Sequence, residues 1–146
     1  MEIMTHHKID QELCGRPLEV GDGNSRIQMQ ALDHMAADAS GLVHGGFIFG
    51  QADYAAMIAV NHPNVVLGAA EVKFLKPVRT GETVVAEAKV TETDGKKRMV
   101  DVTVSKDNQA VFEGRFTALI EVEKTNWKAF SGSHSSLSHR SPVPRM

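Results

Sequence analysis

Apolar and polar positions divide the chain into one long buried helix and a series of strands. The run "SGLVHGGFIFGQADYAAMIAV", residues 40–60, is almost unbroken apolar sequence, and only Gln51 and Asp53 in it are strongly polar. Its length predicts a helix rather than a strand, opening after Gly45–Gly46 and stopping at "NHPN", where Pro63 cannot continue it. Upstream, "IDQEL" predicts a short helical turn, and residues 15–33 predict two extended pieces joined by a turn at Gly21–Asn24. Downstream the period changes. "VVLGAAEVKFLKPV" reads as an extended segment ending at Pro77. "ETVVAEAKVTET" alternates and places Val84, Ala86, Ala88 and Val90 on one face. Asp94–Gly95 signals a hairpin, "RMVDVTVS" alternates again, "DNQ" makes a second turn, and "AVFEGRFTALIEV" closes the series. Two strands, one helix and four strands predict an α+β domain, with the helix on one face of a curved antiparallel sheet.

A length of 146 residues suits one domain. Residues 5–128 are expected to form it. Residues 129–146, rich in Ser, His, Pro and Arg, carry little that builds a core and are expected to form a flexible tail. The net charge of -2 offers no polycationic footprint, so nucleic acid is not an expected partner. One cysteine, Cys14, excludes an intrachain disulfide and a cysteine-based zinc site. His6 and His7 are adjacent but lack a third ligand at suitable spacing, so no metal is expected. The start, "MEIMTHHKIDQEL", has no apolar signal-peptide core and no run reaches transmembrane length. A cytoplasmic protein without membrane association is the expectation.

The stretch "HGGFIFGQAD" sets His-Gly-Gly before an Asp nine residues after the His. In this it resembles the hotdog-fold acyl-CoA thioesterases, specifically the phenylacetate-pathway type. The later stretch "EVKFLKPVRTGETVVAEAKV" resembles the strand, Pro and Gly-Glu/Asp turn of the same superfamily, and is also similar to the ligand domain of the malonyl-CoA-responsive fatty-acid repressor. The resemblance covers about residues 15–122. It implies a helix wrapped by a curved antiparallel sheet, dimers that join two sheets edge to edge, a possible tetramer as a dimer of dimers, and active sites at the dimer interface. It further implies that the Gly45 N–H polarises a thioester carbonyl, that Asp53 acts as general base or nucleophile, and that His44 shapes the loop. No cofactor is implied beyond coenzyme A as part of an acyl-CoA substrate, with acyl-ACP as the alternative carrier. Two positions depart from the family pattern. Asp38 stands where relatives often carry Asn, and the strand after the helix offers Leu67 or Gly68 where some hydrolases carry Ser or Thr, with Glu71 the nearby acidic side chain. The repressor's ligand domain lacks the Asp that this chain has at 53.

Thioester hydrolysis builds negative charge on the carbonyl oxygen. A backbone N–H at a helix N-terminus is a fixed donor for it, aided by the helix dipole. Gly45 and Gly46 would let a thioester come close to the backbone; alternatively they only turn the chain into the helix. Asp53 is either the acid–base group or a structural hydrogen-bonding residue at a subunit interface, since an unpaired buried carboxylate is costly. His44 reads as a neutral loop histidine, with a general base as the alternative. Lys76 and Arg79 flank Pro77 and could hold CoA phosphates or an acyl carboxylate, or form a solvated basic patch.

Helix geometry adds a constraint. Eight residues separate Gly45 from Asp53, roughly 12 Å along one helix. One carbonyl cannot touch both, so either the motif is not one active site or its two halves come from different subunits of a two-fold dimer. The function the resemblance implies is hydrolysis of an acyl-CoA thioester to free acid and CoA. The alternative is a non-catalytic acyl-CoA or acyl-ACP binding module.

Overall fold

Asp10 opens the first element of the computed structural model, which describes residues 1–121. Its carboxylate accepts from the N–H groups of Glu12 and Leu13 at 2.9 and 3.3 Å, capping the short helix α1 (Gln11–Cys14). The expected domain end at 128 and the expected tail lie outside the described residues.

A hairpin of β1 (Arg16–Gly21) and β2 (Asn24–Gln30) follows. It turns through Asp22 and Gly23, whose φ of +79° suits glycine. A 3₁₀ turn at Asp33–Met35 leads into the loop before α2 (Gly45–Val60). That helix ends on Asn61, which takes the left-handed conformation (φ 52°, ψ 53°) and returns its N–H to the Met57 carbonyl. The stop therefore falls two residues ahead of Pro63. Four strands complete the chain: β3 (Val65–Phe74), β4 (Thr83–Asp94), β5 (Lys97–Lys106) and β6 (Gln109–Ile120).

All six strands form one antiparallel sheet in the order β1-β2-β4-β5-β6-β3. Helix α2 lies across its concave face and packs chiefly on β2, β4 and β5. The expected alternation holds in β4, where Val84, Ala86 and Ala88 are buried and Val90 packs at the margin. The β4–β5 turn centres on Gly95 and Lys96, one residue later than Asp94–Gly95, because Asp94 pairs with Lys97. Asp107 and Asn108 both have positive φ (50° and 64°), the signature of a two-residue type I′ turn between β5 and β6.

Helix α2 has no exposed polar stripe. Ile48, Gln51, Ala52 and the whole run Tyr54–Ala59 are buried. One face meets the sheet. Part of the other is covered by α1 and by the N-terminal residues, with Ile3, Ile9 and Leu13 packed against the core. The Asn61 side chain ties this segment down, donating to the Glu2 carbonyl and accepting from the Met4 N–H, each at 2.7 Å.

Candidate active site

Two polar contacts fix how α2 sits in the sheet. Gln51, fully buried, donates through Nε2 to the carbonyls of Ile27 on β2 and Val84 on β4 at 3.0 and 3.1 Å. One turn later the buried Ser25 hydroxyl donates to the Ala55 carbonyl at 2.7 Å. At roughly 100° per residue, Asp53 lies about 200° round the helix from Gln51. The sheet-facing glutamine therefore sends the carboxylate to the opposite side.

There Asp53 is partly buried, and its Oδ1, sealed from solvent, has no hydrogen-bond partner among the described residues. Burial pushes its carboxyl from the ordinary 3.8 up to about 6. The end of α1 stands beside it. The Cys14 thiol is raised by burial first, then by the charges of Asp10 and Asp53.

The helix N-terminus carries the second half of the motif. His44 is the N-cap residue and provides no side-chain cap; its carbonyl takes the Phe47 N–H at 3.0 Å, while the Gly45 and Gly46 N–H groups are left uncapped. Gly45 and Gly46 are the first residues of α2 and neither has positive φ. Their lack of side chains serves close approach instead. A Cβ on Gly46 would stand 3.0 Å from the His44 ring, and a Cβ on Gly45 would stand 3.1 Å from Cε2 of Phe74. His44 also meets Phe47 edge-on, with centroids 6.2 Å apart, and its own N–H donates to the Met35 carbonyl at 2.9 Å. These contacts give it a packing place in the loop.

The structure brings some predicted residues together and separates others. Gly45 and Lys76 line one cleft of about 340 Å³, walled by Val43, Ile48, Phe74 and Val78. Arg79 is near the loop rather than in that cleft. Its N–H donates to Glu82 at 2.8 Å and its guanidinium reaches the Ser40 carbonyl at 3.4 Å. Asp38 is exposed and accepts from the Ser40 N–H at 2.9 Å, which holds the loop turn; the Ser40 hydroxyl first, and that N–H second, lower its carboxyl. Glu71 is not brought to the helix at all. It is exposed on the convex face of β3, opposite Arg115 of β6. Gly68 occupies a bulge between Leu67 and Ala69, where a Cβ would meet Leu119 at 2.8 Å. Gly45 and Asp53 lie on one continuous helix, so a single subunit cannot present both to one carbonyl.

Two residues of the site were not assigned roles from sequence. Gln51 showed itself as a polar residue in an apolar helix, two before Asp53. Phe74 gave no signal, since an apolar residue at a strand end reads as core.

A curved antiparallel sheet around one helix, with open N–H groups at the helix start and a carboxylate at mid-length, defines a hotdog-fold protein. Residues 40–113 match the Thioesterase superfamily, and the chain belongs to that family. Methylthioribose-1-phosphate isomerase of Aquifex aeolicus is 50% identical over 123 residues, which is 84% of this chain and 27% of that protein. Transcription factor FapR of Caldanaerobacter subterraneus is 28% identical over 106 residues, 72% of this chain and 53% of the factor. The chain thus spans about a quarter and about half the length of these two curated relatives. Among solved structures, an uncharacterized protein from Pyrococcus horikoshii superposes with a TM-score of 0.84 at 45% identity, covering 86% of this chain and 96% of its own.

Proposed function

We propose that this protein hydrolyses an acyl-CoA thioester, with each site shared between two subunits of a dimer. The observation that carries the reading is the Asp53 carboxylate, buried without a hydrogen bond to Oδ1 and displaced to about 6. A structural carboxylate at such cost calls for a partner, and Oδ1 has none among the described residues. In the proposed dimer the Gly45 N–H of one subunit donates to the thioester oxygen, and Asp53 of the other takes a proton from water as it attacks the carbonyl carbon. The tetrahedral intermediate then expels the CoA thiolate, leaving the free acid. One donor of this kind is typically worth about 2.7–4 kcal/mol in the barrier. Mid-helix Asp is also a weak helix former, so chemistry beside the helix accounts for a residue that local structure disfavours.

The test is release of free CoA thiol from a panel of acyl-CoA esters, by wild type and by Asp53→Asn. Turnover by wild type, lost in Asp53→Asn with acyl-CoA binding retained, supports the reading. Equal turnover in both removes Asp53 from the chemistry.

A second reading is a non-catalytic acyl-CoA or acyl-ACP binding module. It is favoured by the similarity to FapR and by Leu67 and Gly68, which stand where some hydrolases of the family pattern carry a hydroxyl. Wild type that binds acyl-CoA and releases no thiol establishes it. The isomerase name belongs to a protein of which this chain matches 27%, and none of its activity is carried over.

A further inference from the structure

Phe74 ends β3, where the chain leaves the sheet towards Pro77. It is 55% exposed, and its neighbour Leu75 is 44% exposed. Two adjacent large apolar side chains at a strand end cost solvation, and core packing does not account for them. The Phe74 ring meets Phe112 in a T-shaped contact with centroids 5.1 Å apart, and its Cε2 comes within 3.1 Å of the place a Gly45 Cβ would occupy. It thereby forms one wall of the cleft that opens at Gly45, facing Ile48 and Val78, with Lys76 also in the lining.

We infer that Phe74 is a specificity-determining residue: the acyl chain of the thioester runs along this cleft, and the ring sets how long or bulky a chain fits. This rests on the thioester reading above. A carbonyl at the Gly45 N–H has two substituents, the acyl chain and the thiol arm of CoA. The apolar walls suit the acyl chain, because the CoA arm carries amides that would need partners. Within one subunit the cleft offers about 340 Å³.

The experiment measures affinities of non-hydrolysable S-alkyl-CoA thioethers from ethyl to octyl, by calorimetry, for wild type, Phe74→Ala and Phe74→Trp. Phe74→Ala should favour longer chains and Phe74→Trp shorter ones, each changing the octyl-to-ethyl affinity ratio by roughly tenfold or more. Opposite shifts from the two variants separate this role from simple loss of packing against Phe112. Gly45→Ala places a methyl against the same ring edge, so it should shift preference towards short chains, and Phe74→Ala should reverse that shift in the double variant. Wild type that binds the thioethers, with both Phe74 variants keeping its length order, overturns the inference and leaves the thioester reading standing. So does a Gly45→Ala shift that Phe74→Ala fails to reverse. Wild type that binds no thioether of any length overturns the thioester reading, and this inference with it.

Discussion

Asp53→Asn should make the protein more stable, and only above a defined pH. Burial displaces the Asp53 carboxyl from 3.8 to about 6, and at about 1.4 kcal/mol per pH unit this corresponds to about 3 kcal/mol per subunit. The sign follows from linkage. Below pH 3.8 the group is protonated in both folded and unfolded chains and costs nothing. Between 3.8 and about 6 the unfolded chain ionises while the folded one keeps its proton, so stability falls as pH rises. Above about 6 the folded protein carries the full cost of a buried charge. Asparagine has nearly the same shape and no charge to desolvate. Thermal melts of both proteins from pH 3.5 to 8.5, at one fixed concentration, should coincide at the acid end and separate above pH 6. At about 2–4 °C per kcal/mol for a chain of this size, the variant should lead by roughly 6–12 °C at pH 8. The gain would accompany loss of turnover, the exchange of stability against activity expected of a strained functional group. A variant that melts below wild type at pH 8 would refute the reasoning, since it would mean that donors across the subunit interface hold the carboxylate at a net gain.

Under the proposed hydrolysis, kcat/KM for an acyl-CoA should rise with pH through about 6 and level off above it, because a general base must be ionised; a flat profile from pH 5 to 8 removes that role. Mixing Asp53→Asn with Gly45→Val dimers under subunit exchange should restore about a quarter of wild-type activity, since about half the dimers are hybrids with one intact site each. No recovery despite demonstrated exchange rules out shared sites. Lys76→Ala should raise KM more than Arg79→Ala, because Lys76 lines the Gly45 cleft while Arg79 is engaged at Ser40, and the effect should shrink in high salt. Unchanged KM in both makes them a solvated face. Gly50 lies one turn before Asp53, and a Cβ there would meet nothing within 4 Å among the described residues. Alanine would add about 1 kcal/mol to a bare helix; against a partner helix it should instead weaken the dimer and reduce turnover, as sedimentation and activity would show.

The helix, the α+β class and the hairpins were legible because each rests on local chemistry. A long, mostly apolar run, a Gly-containing turn read to within one residue and the turn at Asp107–Asn108 need no knowledge of the rest of the chain. The order of the sheet was not legible, because alternation marks a strand's faces without naming its neighbour, and β3 pairs with β6 at the far edge. The face of Glu71 was hidden for a different reason. The bulge at Gly68 inserts a residue, so the phase of β3 differs on its two sides and counting from Val65 gives the wrong face. Of the site, the His-Gly-Gly and Asp spacing was readable. The reason for the glycines was not, since the rings that crowd them belong to His44 and to Phe74, and Phe74 is 29 residues from Gly45 along the chain.

Gln51 acts as a rotational index for α2. A slip of one residue would turn the helix by about 100° and advance it about 1.5 Å, withdrawing Nε2 from both carbonyls at once. The aim of the carboxylate is therefore set from behind, by a fully buried side chain, while Asp53 Oδ1 has no hydrogen-bond partner among the described residues. Aim and reactivity are consequently separable along an evolutionary path. A lineage can exchange the residue at 53 and pass between holding a thioester and cleaving it without rebuilding the frame. Exchange at 51 would unseat the helix for either purpose.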